Sequence, residues 1–208
     1  RVLVGNDANV AALGEIWMGA AKGCRSAVMV TLGTGVGGGV IVNGKVIDGT
    51  HGAGGEIGHI TVDRHETAAC GCGKHGCLEQ YSSATGVVRC MKKLLDENPG
   101  TPCPLRGTDF AAKDVFDAAR SGDALAAREV DEMTDTLGMA LANVANTVDP
   151  EMFMIGGGVS RAGEVLFAPL REHFKVYAFK SCRETPIVPA ILGNDAGIYG
   201  SVRLIVGE

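Results

Sequence analysis

The sequence predicts an α/β domain: a mixed sheet with helices on both faces and a small zinc-binding insertion. Three observations carry that prediction. The apolar run 27–32 is followed by a glycine-rich stretch and then by Asn43-Gly44, a dipeptide that favours a two-residue hairpin turn. Val130, Met133, Leu137, Leu141, Val144 and Val148 recur three or four apart, the period of a helix with one apolar face, and an apolar strand follows Pro150. Between these regions, His59, Cys70, Cys72 and Cys77 stand in a glycine-rich segment, 49–79.

In chain order, Val2 to Val4 reads as a short strand running into Gly5-Asn6-Asp7-Ala8-Asn9. A helix over 8–21 follows, with Val10, Leu13 and Trp17 on one face. Residues 27–32 form an apolar strand interrupted only by Thr31. A glycine loop over 33–39 leads to a second strand, 40–42, and 45–47 returns as its partner. Beyond the glycine-rich segment a helix over 83–97 stops before Pro99, and another covers 113–121. The long helix ends at Pro150, and its apolar stripe reads as core rather than as a subunit contact. Strand 152–155 empties into Gly156-Gly157-Gly158; a helix over 164–177, a strand over 187–192 and a helix from Ala196 complete the alternation. Gly5-Asn6-Asp7-Ala8 recurs as Gly193-Asn194-Asp195-Ala196. Each joins a strand to a helix, where the plain reading is Asn or Asp accepting orphan backbone N–H groups.

With 208 residues the chain can bury a proper core. A net charge of −5 argues against a nonspecific nucleic-acid or membrane surface, and no apolar run approaches a membrane span. Seven cysteines, four of them scattered, read as reduced cytosolic thiols plus a metal set rather than a disulfide framework.

The chemistry concentrates in four places. His59, Cys70, Cys72 and Cys77 make a Cys3His set that selects zinc, and four protein ligands leave no open position, so the ion is structural. His75 lies inside this cluster as an alternative ligand; His173 reads as a helix-face residue. Glu56 and Glu79 bracket the metal and, with His59, suit a polyol, each carboxylate accepting from hydroxyls. Gly33, Thr34, Gly35, Gly37 and Gly38 lie in a stretch that matches G-x-G-x-x-G, but a strand follows rather than a helix, so the dinucleotide reading fails. Such a loop still offers backbone N–H groups to phosphates, with Thr34 adding a hydroxyl. Gly156, Gly157 and Gly158 either form a strand-to-helix turn or let a flat ligand such as adenine lie on the backbone. Asp7 is the candidate general base for an alcohol, and Asn6 beside it carries both a donor and an acceptor for a neighbouring hydroxyl.

Together, N-D-A-N, L-G-T-G-V-G-G-G, G-A-G-G-E-I-G-H, C-G-C-G-K-H-G-C-L-E and I-G-G-G-V-S resemble the ROK family of bacterial sugar kinases and sugar-responsive repressors, its ATP-dependent glucokinases most of all. The resemblance runs from Val4 to Gly200 and implies an actin-like ATPase (ribonuclease H-like) fold. It implies Asp7 as base for the sugar 6-hydroxyl, Asn6, Glu56, His59 and Glu79 as sugar ligands, and His59, Cys70, Cys72 and Cys77 as zinc ligands. The stretch from Gly33 to Val40 resembles a phosphate loop, and Gly156 to Gly158 the adenosine loop. ATP, Mg2+ and a structural Zn2+ are the implied cofactors; a homodimer in the cytoplasm, binding neither nucleic acid nor membrane, is the implied setting. Glucose is the expected sugar, with N-acetylmannosamine or fructose as alternatives and a sugar-responsive repressor as the rival function. The family's first domain carries a D-x-G-G-T-like phosphate loop, and these 208 residues contain none. The expectation is therefore that 1–208 is the C-terminal large domain with its zinc-binding segment at about 59–79, that the N-terminal phosphate-loop domain is absent from this chain, and that the fragment alone has little kinase activity.

Overall fold

The computed structural model describes residues 5–206; the strand expected at Val2 to Val4 lies outside them. A five-stranded mixed sheet has the order β3-β2-β1-β4-β5. Strand β1 (Ala27–Leu32) is central: it pairs antiparallel with β2 (Val36–Val42), Val30 opposite Gly38, and parallel with β4 (Met152–Gly156), Val30 opposite Ile155. Strand β3 (Lys45–Val46) pairs antiparallel with β2, and β5 (Ile187–Pro189) parallel with β4. Asn43 and Gly44 both take positive φ, 52° and 77°, the two left-handed residues that this hairpin turn requires.

Side chains alternate across the sheet with period two. Val28, Val30 and Leu32 face one core with Phe153 and Ile155, while Ala27 and Met29 face a second with Met154. After the short α2 (Glu79–Ser82), the larger core is covered by α3 (Ala84–Glu97), α4 (Ala112–Arg120), α5 (Ala124–Val148) and α6 (Glu164–Tyr177). Val130, Met133, Leu137, Leu141 and Val144 of α5 are all buried there, so the stripe is core. The helix starts six residues before its stripe does, because Asp123 accepts the Ala126 N–H at 2.8 Å and caps it.

The opposite face is covered by α1 (Asp7–Met18) and α7 (Asp195–Val206). These helices meet backbone to backbone: a methyl on Gly14 would lie 2.2 Å from the Ala196 carbonyl oxygen, and one on Gly200 1.8 Å from that of Val10. Helix α1 ends at Met18, short of the expected 21, because the buried Glu15 carboxylate accepts the Ala20 N–H at 2.8 Å and turns the chain. Its other oxygen accepts the Leu192 N–H, also at 2.8 Å.

Three further expected boundaries need correction. The glycine loop is confined to 33–35, since Gly37, Gly38 and Gly39 belong to β2 rather than to a loop. They are glycines because neighbours crowd their backbone: a methyl on Gly39 would sit 2.5 Å from the Ala8 carbonyl oxygen and 2.8 Å from the Ala12 Cβ. Strand β5 stops at Pro189 instead of 192, and Gly156 is the last residue of β4 rather than part of the turn.

Candidate active site

The first turn of α1, the start of β2 and the segment bearing Glu56 pack with almost no side chain between them. A methyl on Gly37 would lie 3.4 Å from the Ala8 Cβ, and one on Gly38 2.2 Å from the Gly55 carbonyl oxygen. Asn9 ties the same parts together, donating to Asp48 at 3.2 Å, while its buried Oδ1 finds no partner among the described residues. Asp7 and Glu56 are therefore mounted on backbones linked through β2. Asp7 is exposed and accepts its neighbour's N–H, that of Ala8, at 2.8 Å. The Asn6 Oδ1 accepts from Ala8 and Asn9, so the capping reading holds at Asn6 and the NH2 end alone is left toward a ligand.

A 3-10 turn, Ile57–His59, presents His59 to the cysteines. The ligand atoms of His59, Cys70, Cys72 and Cys77 all lie within 4.8 Å of one another. The Cys72 and Cys77 sulfurs are 3.7 Å apart, as are the Cys70 sulfur and the His59 Nδ1. A tetrahedral ion with metal–sulfur bonds of about 2.3 Å places its ligand atoms about 3.5–3.8 Å apart, so the donor set has the right shape for one. His75 is exposed and outside this cluster; His173 lies on α6, 2.9 Å from Asp131 and 3.2 Å from Asp135 of α5.

The acidic residues converge on the same histidine. Glu56 is 4.0 Å from its Nε2 and Glu79 3.8 Å from its Nδ1, and the Cys70 thiol is 2.9 Å from Glu79. Burial pushes the Cys70 thiol up to about 12. The Glu79 carboxylate also abuts the glycine loop, its Oε2 2.8 Å from where a methyl on Gly35 would stand.

From Glu79 three hollows that share wall residues form a groove, and none of the three has Asn6, Asp7, Glu56 or His59 in its wall. A first hollow of about 450 Å³ has Glu79, Cys70 and Thr34 in its wall. Thr34, Thr85 and Arg89 continue into a second of about 530 Å³. That one shares Ala84, Ala111 and Ala112 with a third, also about 530 Å³, which ends at Gly158. Thr85 fixes the loop by donating to the Thr34 carbonyl at 2.7 Å. At the far end Gly157 and Gly158 divide the two roles proposed for them. Gly157 has φ 83° and its missing methyl would strike the Leu32 backbone at 2.4 Å, whereas nothing stands within 4 Å of one on Gly158.

Several wall residues carry no local motif. Lys113, Phe116 and Arg120 lie along α4 at the Gly158 end, where Arg161 also contributes; the spacing of Lys113, Phe116 and Arg120, three and four apart, was the available signal. The ligand segment is pinned by Tyr81, which donates to Asp63 at 3.0 Å and Glu66 at 2.9 Å, and by Arg89, 2.8 Å from Glu66. The Ala68 N–H, then Tyr81 and Arg89, hold the Glu66 carboxyl down at about 2 against the effect of burial.

The family model described as the ROK family matches residues 1–208. A glucokinase of Halalkalibacterium halodurans is 46% identical over 208 residues, covering 98% of this chain and 63% of that protein. One from Thermotoga maritima is 41% identical, covering 99% and 66%. Among solved structures, a ROK family glucokinase from Streptomyces griseus in complex with glucose and AMPPNP aligns with a TM-score of 0.86 at 37% identity, over 98% of this chain and 67% of that one. The chain thus spans somewhat less than two thirds of the length of these two curated relatives.

Proposed function

We propose that this chain, which belongs to the ROK family, holds sugar and nucleotide in a kinase that transfers the γ-phosphate of ATP to the 6-hydroxyl of glucose. The observation that carries the reading is the groove. Hydroxyl acceptors stand at one end, at Glu79 and the neighbouring Glu56 and His59; the loop of Gly33, Thr34 and Gly35 lies along it; a basic cleft floored by Phe116 ends it at Gly158. The glucokinase relatives support the choice of sugar.

In this reading Asn6, Glu56, His59 and Glu79 orient the sugar. The 6-hydroxyl gives its proton to the Asp7 carboxylate while its oxygen bonds to the γ-phosphorus, and the broken P–O bond leaves its electron pair on ADP. The backbone of Gly33, Thr34 and Gly35 faces the phosphates. Gly37 and Gly38, inside β2, support that turn from below, and Gly156 and Gly157 support Gly158 where adenosine lies. Magnesium, arriving with the nucleotide, offsets phosphate charge. His59, Cys70, Cys72 and Cys77 would hold a structural zinc, whose binding would need the thiols deprotonated and would fix His59 and so the two glutamates. Residues 1–208 act as the C-terminal large domain, with the zinc-binding segment at about 59–79 as its insertion. Seven free cysteines support a reducing, cytoplasmic setting; a homodimer completes the reading.

A coupled ADP-release assay across glucose, N-acetylmannosamine and fructose tests it, run on the full-length protein and on residues 1–208, with zinc quantified in the same preparation. Glucose turnover by the full-length protein, falling about 10²–10⁴-fold in Asp7→Asn with sugar binding kept, is expected; residues 1–208 alone turn over little. Sugar binding with no ADP release from the full-length protein overturns the kinase in favour of a sugar sensor.

A further inference from the structure

Between α3 and α5 lies a cavity of about 420 Å³ that shares no wall residue with the groove. Glu129 lines it. This residue is 1% exposed, and among the described residues its carboxylate has no hydrogen-bond or ion-pair partner. The other carboxylates of the wall are already engaged. Glu97 pairs with Lys93 at 3.9 Å, Glu132 with Arg128 at 2.7 Å, Asp63 accepts from Tyr81 at 3.0 Å, and Asp135 accepts from Tyr177 at 2.8 Å. Arg89, the cation whose charge reaches Glu129, is held by Glu66 at 2.8 Å and by the Gln80 carbonyl at 2.9 Å.

We propose that this cavity is a second binding site, taking an ammonium or guanidinium group on a short apolar stem that pairs with Glu129. The wall carries five carboxylates against two basic side chains, Lys93 and Arg128, so an anion is repelled. A neutral ligand gains no charge pairing from Glu129, whereas a guanidinium ionises the carboxyl and satisfies both of its oxygens at once. Val62, Leu94 and Met133 give the stem apolar surface, and the volume lies in the range of small-ligand pockets. Burial first, and then Glu132, push the Glu129 carboxyl up to about 8. The cation comes either from a free small amine or from a Lys or Arg side chain of a second copy.

Titration calorimetry of the full chain with n-butylguanidinium and n-butylammonium chloride, in buffers of different ionisation enthalpy, reads the site directly. The expected result is binding that releases about 0.9 proton at pH 7, about ten-fold weaker in Glu129→Gln. Thr136→Trp, which puts an indole on the cavity wall and keeps the Glu129 carboxyl, blocks binding too and serves if the first variant folds poorly. If a second copy supplies the cation, sedimentation shows wild-type dimers that dissociate in Glu129→Gln and in excess n-butylguanidinium. Binding unchanged in both variants overturns the proposal. So does an absence of binding to wild type in which wild type and Glu129→Gln sediment alike.

Discussion

Replacing Glu129 by Gln should remove the pH dependence of stability that this carboxyl imposes. Its carboxyl titrates near 4.5 when the chain is unfolded and at about 8 in the folded protein, raised by burial and then by Glu132. The folded state therefore binds the proton more tightly. The sign follows: the native protein suffers nothing below pH 4.5, loses stability as pH rises from 4.5 to 8, and carries the full penalty above 8. At about 1.36 kcal/mol per pH unit that interval amounts to roughly 5 kcal/mol, a large part of the 5–15 kcal/mol typical of a folded domain. Water admitted by the adjoining cavity reduces the figure; half of it still moves a urea midpoint by about 1 M at a slope of about 2.5 kcal/mol per M. Urea denaturation of wild type and Glu129→Gln at pH 5, 7 and 9 measures the difference. The gap should open in favour of Gln as pH rises, and the difference between the two proteins removes groups common to both. Midpoints that run parallel from pH 5 to 9 refute a buried, unanswered carboxylate.

Cys72→Ser, or a strong chelator, should lower zinc from about one per chain. Because such sites contribute on the order of 10 kcal/mol to folding, thermal stability falls and glucose binding falls with it; full sugar affinity in zinc-free protein would separate the metal from the glutamates. Gly38→Ala drives a methyl to 2.2 Å from the Gly55 carbonyl oxygen and 2.8 Å from the Ile57 side chain. A loss of about 1–3 kcal/mol is expected, with weaker glucose binding because Glu56 moves with Gly55, whereas Gly33→Ala, with nothing within 4 Å, should melt within a degree or two of wild type.

Residues that act through local spacing were legible. The 3.6-residue stripe of α5, the Asn43-Gly44 turn and the cap at Asn6 lie within short windows and appear in the structure as their patterns demand, and the donor atoms of His59, Cys70, Cys72 and Cys77 come within 4.8 Å of one another. Long-range causes were not legible. A run of glycines looks like a loop, and only the approach of Ala8, Ala12 and Gly55 explains why Gly37, Gly38 and Gly39 are strand residues. No local pattern marks Glu15 or Glu129, yet both are buried, the first among backbone donors at Ala20 and at the distant Leu192. The basic cleft at Gly158 draws on α4 and on Arg161, brought together only by the packing of the front layer.

The pairing of Glu15 with the Leu192 amide has a consequence for biosynthesis. The two groups are 177 positions apart. At about 5–20 residues per second a ribosome needs roughly 9–35 s to deliver the second after the first. Throughout that time α1 has neither α7 to cover it nor a donor for half of its carboxylate. The layer formed by α1 and α7 must stay open until α7 is translated, making that interval a period of exposure to chaperones and proteases.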